Sequence, residues 1–352
     1  MSKSWSGRIS RRRLLGGVAV GTAALPALHE LVPHQGLHRQ LAAAEGPHAG
    51  GHGALAGHDP SGHLGARGRV DAQANGFDPH ELLRDFDTGT IRHENGRTVR
   101  EWELVATDRE IEVAPGVRYA AWTYNDRVPG PTLRATEGDR LRIRFVNGSS
   151  HPHTIHFHGV HRAEQDGVPG IGAGNIAPGG STTYEFDAEP FGLHLYHCHS
   201  TPLAEHIAKG LYGTFVIDPK QGRAPADELL MVMNGFDTNF DRSNEIYAVN
   251  TVAFAYMDEP VQVKRGELVR IYLVNALEFD LVNSFHVHAN FFDYYPTGTR
   301  LEPRDFTDTV VQGQGERGIL ELRFPYTGKY MFHAHVSEFA ELGWMGFFEV
   351  VD

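Results

Sequence analysis

The chain carries one cysteine, Cys198, among 352 residues, so no disulfide can form within it. Methionine is scarce, at 6, and no segment gathers it. Positive charge is in deficit: the formal net charge is -12, which argues against a nucleic-acid binder with its basic patch or stripe. From residue 98 onward no long stretch repeats with the 3.6-residue period of a helix. Long apolar runs are missing too. The one candidate, Leu14 to Leu28, is short for a membrane span.

That run follows Ser10-Arg11-Arg12-Arg13. A charged stretch before an apolar one is the layout of an export signal, and the paired arginines resemble a twin-arginine signal. Residues 1–30 are therefore expected to direct export to the periplasm, cell surface or medium, with no stable span in the mature form. A single N-terminal anchor helix is the alternative, and it too leaves the remainder outside the cytoplasm. Residues 31–97 show no sustained period. Together with His29, this Gly- and Ala-rich stretch holds His34, His38, His48, His52, His58 and His63. It is expected to be flexible, either a solvated linker or a weak metal-collecting tail.

Short alternating segments then take over. Arg140-Leu141-Arg142-Ile143-Arg144-Phe145-Val146 alternates polar and apolar residues, as a half-buried strand does. Val269-Arg270-Ile271-Tyr272-Leu273-Val274 reads as a second such strand. Turn signals such as Val128-Pro129-Gly130-Pro131 separate the segments. The texture implies all-β sandwich domains. It also repeats. Glu137-Gly138-Asp139 leads through a strand to Asn147 and His156-Phe157-His158; Arg265-Gly266-Glu267 leads likewise to Asn275 and His286-Val287-His288. Two copies about one small sandwich apart imply two domains, 98–220 and 225–352, with the boundary at the breaks Asp218-Pro219-Lys220 and Ala224-Pro225.

Histidine is abundant, at 22, and its placement is ordered. His156/His158, His197/His199, His286/His288 and His333/His335 occupy equivalent places in the two copies. Residues i and i+2 of a strand share a face, so each pair presents two imidazoles side by side. About one such pair is expected by chance at this composition; four in register point to a multinuclear metal site. Cys198 stands between His197 and His199, its sulfur on the opposite face. With two histidines nearby, His153 and His206, a thiolate suits a blue-copper centre.

On these motifs, with Trp122-Thr123-Tyr124-Asn125 and Val128-Pro129-Gly130-Pro131-Thr132, the chain resembles the two-domain bacterial multicopper oxidases over residues 98 to 352. The resemblance implies two cupredoxin-like Greek-key β-sandwiches. It assigns a type 1 copper to His153, Cys198 and His206, and a type 2 copper to His156 and His286. One type 3 copper falls to His158, His197 and His335, the other to His199, His288 and His333. Asn283 and Ala334 stand where domain 1 has His153 and Cys198, so domain 2 lacks a thiolate. Leu211 stands where many relatives carry an axial Met, which implies a trigonal, higher-potential site. Asp166 resembles the acid beside the type 2 copper, and Glu338 is a candidate proton donor to the cluster. His151, His161 and His194 read as structural or surface residues.

The resemblance further implies a homotrimer with trinuclear sites between chains. It implies laccase-like oxidation of a small electron donor, phenolic or aromatic, with dioxygen as acceptor. A copper nitrite reductase is the rival. It has the same domains, but its catalytic copper uses three histidines, and it needs an aspartate where this chain has His156. A copper-binding or electron-transfer protein without turnover is a second alternative; a carrier needs only one copper.

Overall fold

The structure, a computed structural model, describes residues 66–352. The export-signal reading of 1–30 and the His-rich run 29–63 lie outside the described residues.

Residues 66–97, expected above to be flexible, carry regular structure. Asp71 and Asp78 cap two short helices, α1 (Ala72–Asn75) and α2 (Pro79–Leu82), by accepting hydrogen bonds from backbone N–H groups of the first turn. Gly76 ends α1 at φ 82°, a left-handed conformation that suits glycine. Phe77, Leu82 and Leu83 are buried. These anchors are too few and too irregularly spaced to show as a period.

Domain 1 packs two sheets. One holds β1 (Phe86–Asp87), β5 (Thr132–Thr136), β10 (Tyr212–Asp218), β9 (Gly192–His197) and β7 (His156–Phe157), in that spatial order. The other holds β2 (Thr90–Glu94), β3 (Arg97–Ala114), β6 (Arg140–Asn147) and β8 (Ser181–Asp187), with β4 (Val117–Tyr124) paired to β3. Helix α3 (Leu203–Ala208) joins β9 to β10.

Domain 2 repeats the plan. Its six-stranded sheet runs β12 (Ile246–Val249), β11 (Asp227–Phe236), β14 (Val269–Asn275), β19 (Arg317–Leu322), β16 (Phe292–Pro296), β17 (Asp305–Thr307). Its five-stranded sheet runs β13 (Val261–Lys264), β21 (Met345–Val351), β20 (Gly328–His333), β15 (Val282–Val287), β18 (Thr309–Gly313). Helices α4 (Ala255–Asp258) and α5 (Ser337–Glu341) lie in its connections. The fold is all-β, of the cupredoxin-like sandwich class.

Strand β6 shows the expected alternation: Leu141, Ile143 and Phe145 are buried in the domain 1 core, while Arg140, Arg142 and Arg144 point outward to carboxylates. Strand β14 does not. All seven of its residues are buried. Val269, Ile271 and Leu273 fill the domain 2 core, whereas Tyr272 and Val274 face an apolar layer shared with Leu193, Tyr212 and Val216 of domain 1. The expected half-buried strand is thus covered on both faces. Arg270, only 2% exposed, survives there because Glu228 and Glu321 pair with its guanidinium at 2.9 and 2.6 Å. Leu193 N–H donates to Thr297 O at 2.7 Å and Asn234 Nδ2 to the Tyr212 hydroxyl at 2.8 Å, so the two domains share hydrogen bonds as well as a core.

Candidate metal centres

At the end of β9, Cys198 N–H donates to Leu211 O at 2.9 Å, which fixes the thiol inside the domain 1 core. Its Sγ lies 3.2 Å from His206 Nδ1 and 3.8 Å from His153 Nδ1, and those nitrogens are 3.1 Å apart. His206 comes from α3. The other ring nitrogen of His153, Nε2, meets Ser149 Oγ at 2.9 Å, which leaves Nδ1 free to ligate. A point about 2 Å from all three donors fits that triangle, and 2 Å is an imidazole–metal bond length. Burial holds His153 down to about 3 and His206 to about 4, so both rings are neutral and able to donate lone pairs at neutral pH. The donor set fits a copper ion. Leu211 is fully buried in the same core cluster as Cys198, and all the described methionines lie in domain 2.

The four histidine pairs form two half-sites of matching geometry. In domain 1, His156 lies directly across from His197 on β7 and β9. In domain 2, His286 lies across from His333 on β15 and β20. His158 Nε2 and His197 Nε2 are 2.9 Å apart; so are His288 Nε2 and His333 Nε2. Ring centroids of His156 and His158 are 5.0 Å apart, matching 5.0 Å for His286 and His288. His197 and His199 are 5.8 Å apart, matching 5.8 Å for His333 and His335. The side-by-side placement expected from strand periodicity is present in every pair.

Backbone carbonyls set the tautomers. His197 Nδ1 meets Cys198 O at 2.8 Å, and His333 Nδ1 meets Ala334 O at 2.6 Å. His156 Nδ1 meets Asp166 O at 3.0 Å, and His286 Nδ1 meets Asp308 O at 3.0 Å. Each contact aims Nε2 into its cluster. Burial, with neighbouring imidazoles adding to it, pulls His158 down to about 3; burial lowers His197 to about 4. His156, His288 and His333 are also lowered, chiefly by burial. Such rings suit copper better than protons.

Among the described residues, donor groups within 4.8 Å form within each domain, and none combines histidines of both. Of the two sets that the resemblance assigns to type 3 copper, the chain unites His158 with His197 and His288 with His333. His335 and His199, the third members, stay with their own domains.

Asp166 Oδ1 lies 2.8 Å from His156 Nδ1, where a carboxylate can orient that ring. Glu338 is exposed on α5 and enters no donor group among the described residues. His194 is structural: its two ring nitrogens meet His158 O and Pro190 O. His161, read as structural or surface, instead joins Asp166 and His156 in one group, with Nε2 3.5 Å from Asp166 Oδ1. Trp122, named above only as part of a motif, belongs beside the centre: its ring packs 4.7 Å from His206 and 5.1 Å from His153, a placement that sequence reasoning missed. Sequence reasoning also missed Asp308, although Asp166-x-Val168 and Asp308-x-Val310 repeat in the two copies.

The multicopper oxidase family models match residues 106–222 and 223–352. The chain belongs to the multicopper oxidase family. Its cofactors are accordingly copper ions, of the type 1 and trinuclear kinds. This multicopper oxidase is 32% identical over 254 residues to a copper-containing nitrite reductase of Neisseria meningitidis; the match spans 66% of this chain and 64% of that protein. It is 38% identical over 137 residues to Laccase-2 of Botryotinia fuckeliana, across 38% of this chain and 22% of that one. A crystal structure described as a multicopper oxidase superposes with a TM-score of 0.79 at 64% identity, covering 80% of this chain and 100% of that one. A copper nitrite reductase from Nitrosomonas europaea gives 0.64 at 27% identity, over 72% and 94%. No helix among the described residues is long and apolar enough to cross a membrane.

Proposed function

We propose that this multicopper oxidase is laccase-like: it couples one-electron oxidation of a small phenolic or aromatic reductant to reduction of dioxygen to water. We further propose that it works as a homotrimer, exported from the cytoplasm, with histidine clusters between chains. The observation that carries the reading is the pair of matching, separately incomplete half-sites. A head-to-tail contact between domain 1 of one chain and domain 2 of the next completes both, and closes into a ring when its rotation permits. The edge of the domain 2 sheet supports such a contact. There Val282 and Val311, at 44% and 61% exposure, flank the half-site on β15 and β18.

Copper held by these residues supplies one-electron uptake at Cys198 and multi-electron reduction of dioxygen at the histidine clusters. The protein's own groups do the positioning. Neutral imidazoles offer lone pairs without first losing protons. Cys198 is bonded through the backbone to His197 and His199, so one strand end links the thiolate to the cluster. Asp166 accepts from His156 Nδ1 and can hold a proton there. Glu338 is proposed as a second acid, within three residues of His335.

The nitrite reductase reading draws support from the Neisseria relatives. Against it stand His156, in place of an aspartate, and the added His199, His288 and His333. Copper per chain in the loaded, purified protein separates the two. About four ions, with dioxygen uptake from a phenol, supports the oxidase. About two, with nitrite consumed instead, makes the chain a nitrite reductase.

A further inference from the structure

A cavity of about 280 Å³ opens beside α3, the helix that carries His206. Domain 1 contributes Tyr119, Glu205 and Lys209 to its lining; domain 2 contributes Phe240, Arg242 and Phe279. Lys209 sits among aromatic faces. Its Nζ is 4.3 Å from the Phe240 ring centre, 5.3 Å from Trp122 and 5.9 Å from Tyr119. It donates to Ala120 O at 3.2 Å, and the ammonium has further N–H groups to offer. The Arg242 guanidinium lies 5.9 Å over Phe279. Among the described residues no carboxylate lies within ion-pair distance of either cation, while Glu205 and Asp237 act on Lys209 from further away.

The wall from domain 2 is held in place by its loop. The Asp237 carboxylate accepts from the backbone N–H of Asp241 at 3.0 Å and of Arg242 at 2.8 Å. Phe240 and Arg242 take left-handed backbone, at φ 61° and 73°, which costs energy for such side chains. The result leaves Phe240 57% exposed beside the cavity. Trp122, one neighbour of Lys209, packs against His206, so a single side chain separates the cage from the type 1 centre.

We propose that this cavity binds the electron donor, and that Lys209 and Arg242 make it prefer aromatic donors bearing an acid group. The proposal rests on the oxidase reading above. The donor ring stacks on Phe240, and its carboxylate accepts from the Lys209 ammonium. A hydroxylated aromatic acid then gives one electron to the centre behind His206. Its O–H bond breaks, the proton leaves to solvent, and a phenoxyl radical remains. Four such oxidations supply the four electrons, and their protons balance the conversion of one dioxygen to two waters. Two carboxylates of the lining, Glu205 and Asp237, oppose the preference; Asp237 is tied to the loop backbone, so removal of the exposed Glu205 should strengthen it.

The test uses the copper-loaded full chain. Benzoate, which is not oxidised, is titrated while tryptophan fluorescence is read. Lys209→Met is expected to weaken benzoate binding about ten- to a hundredfold, the range for one hydrogen bond to a charged group, with copper content and blue absorption retained. The ratio of kcat/KM for syringate over syringol, the same ring without the carboxylate, should fall by a similar factor. Glu205→Gln should raise that ratio, and salt should shrink it. Oxygen uptake with an unmoved ratio, and benzoate binding indifferent to Lys209→Met, overturns the donor site and leaves the oxidase reading standing. Lys209-dependent benzoate binding without oxygen uptake from either donor overturns the oxidase reading and the donor role together.

Discussion

The two domains build the same pocket and fill it differently. In domain 1, Cys198 N–H donates to Leu211 O, Leu211 N–H to His206 O and His199 N–H to the Thr154 hydroxyl. In domain 2, Ala334 N–H donates to Trp344 O, Trp344 N–H to Phe339 O and His335 N–H to the Ser284 hydroxyl. The correspondence assigns Asn283, Ala334, Phe339 and Trp344 to the places of His153, Cys198, His206 and Leu211. Aromatic bulk fills the place of the candidate type 1 donors and their neighbour Leu211: Trp344 is fully buried against Phe285 and Phe332, and Phe339 stacks 3.9 Å from Tyr247. The replacement is not seamless, since Asn283 Nδ2 and Trp344 Nε1 are buried without hydrogen-bond partners. Each such orphan costs about 1–3 kcal/mol. The histidine half-sites, by contrast, are kept almost identical. The comparison teaches that a sandwich can lose its thiolate centre by filling the pocket with rings, while the strand pairs that carry its other ligands stay intact.

Removing the thiolate makes domain 1 resemble domain 2 and should have the largest effect. Cys198→Ser is expected to abolish the blue absorption and to lower dioxygen uptake by more than about a hundredfold, beyond the loss typical of outer ligand partners. Retained blue colour would break the assignment of Cys198. Next comes the pair of acids. His156 Nδ1 meets both the carboxylate and the carbonyl of Asp166, whereas His286 Nδ1 meets the carbonyl of Asp308 and the Thr309 hydroxyl. Asp166→Asn should therefore slow turnover about tenfold or more, and Asp308→Asn less than about twofold. Equal losses would show that the two domains orient their leading histidines alike.

The pH dependence of the copper-free chain sharpens the contrast further. His153 and His206 titrate near 3 and 4 in the fold and near 6.5 when unfolded. Between those values the unfolded chain binds the more protons, so stability falls as pH drops from about 6.5 toward 4. Replacing both with their domain 2 counterparts, His153→Asn and His206→Phe, should flatten that fall in Tm between neutral pH and pH ~4.5. An unchanged slope would place the acid sensitivity elsewhere, in the clusters. The smallest change is Leu211→Met. A thioether donor should lower the type 1 potential by favouring Cu(II), with copper content unaltered. Voltammetry on the loaded protein reads this, and no shift would mean that position 211 does not reach the metal.

Much of the site was legible because strands have a period of two. His-x-His spacing places each pair on one face, and the internal repeat marks two half-sites. Strand β6 was legible for the same reason. Strand β14 was misread because its outer face is covered by domain 1, and a single segment carries no record of what packs on it. Residues 66–97 were misread because two side-chain caps and three apolar anchors order them, with no periodic face to show it. Trp122 and His161 reach the candidate site by ring packing and proximity, and Asp308 meets His286 through its carbonyl, which any residue type supplies, and through its carboxylate only by way of the Thr309 hydroxyl. Such roles leave no spacing signature.

The most direct test of shared clusters is complementation. His158→Ala disables the domain 1 half-site and His288→Ala the domain 2 half-site, so each variant alone should be inactive in dioxygen uptake. Unfolded separately, mixed in equal amounts, refolded and loaded with copper, they should recover activity. Random assembly of a ring rebuilds about one site in four, so uptake near a quarter of the parent chain's is the expected result. Mixtures as inactive as the separate variants, with trimers formed, would contradict a cluster built between chains.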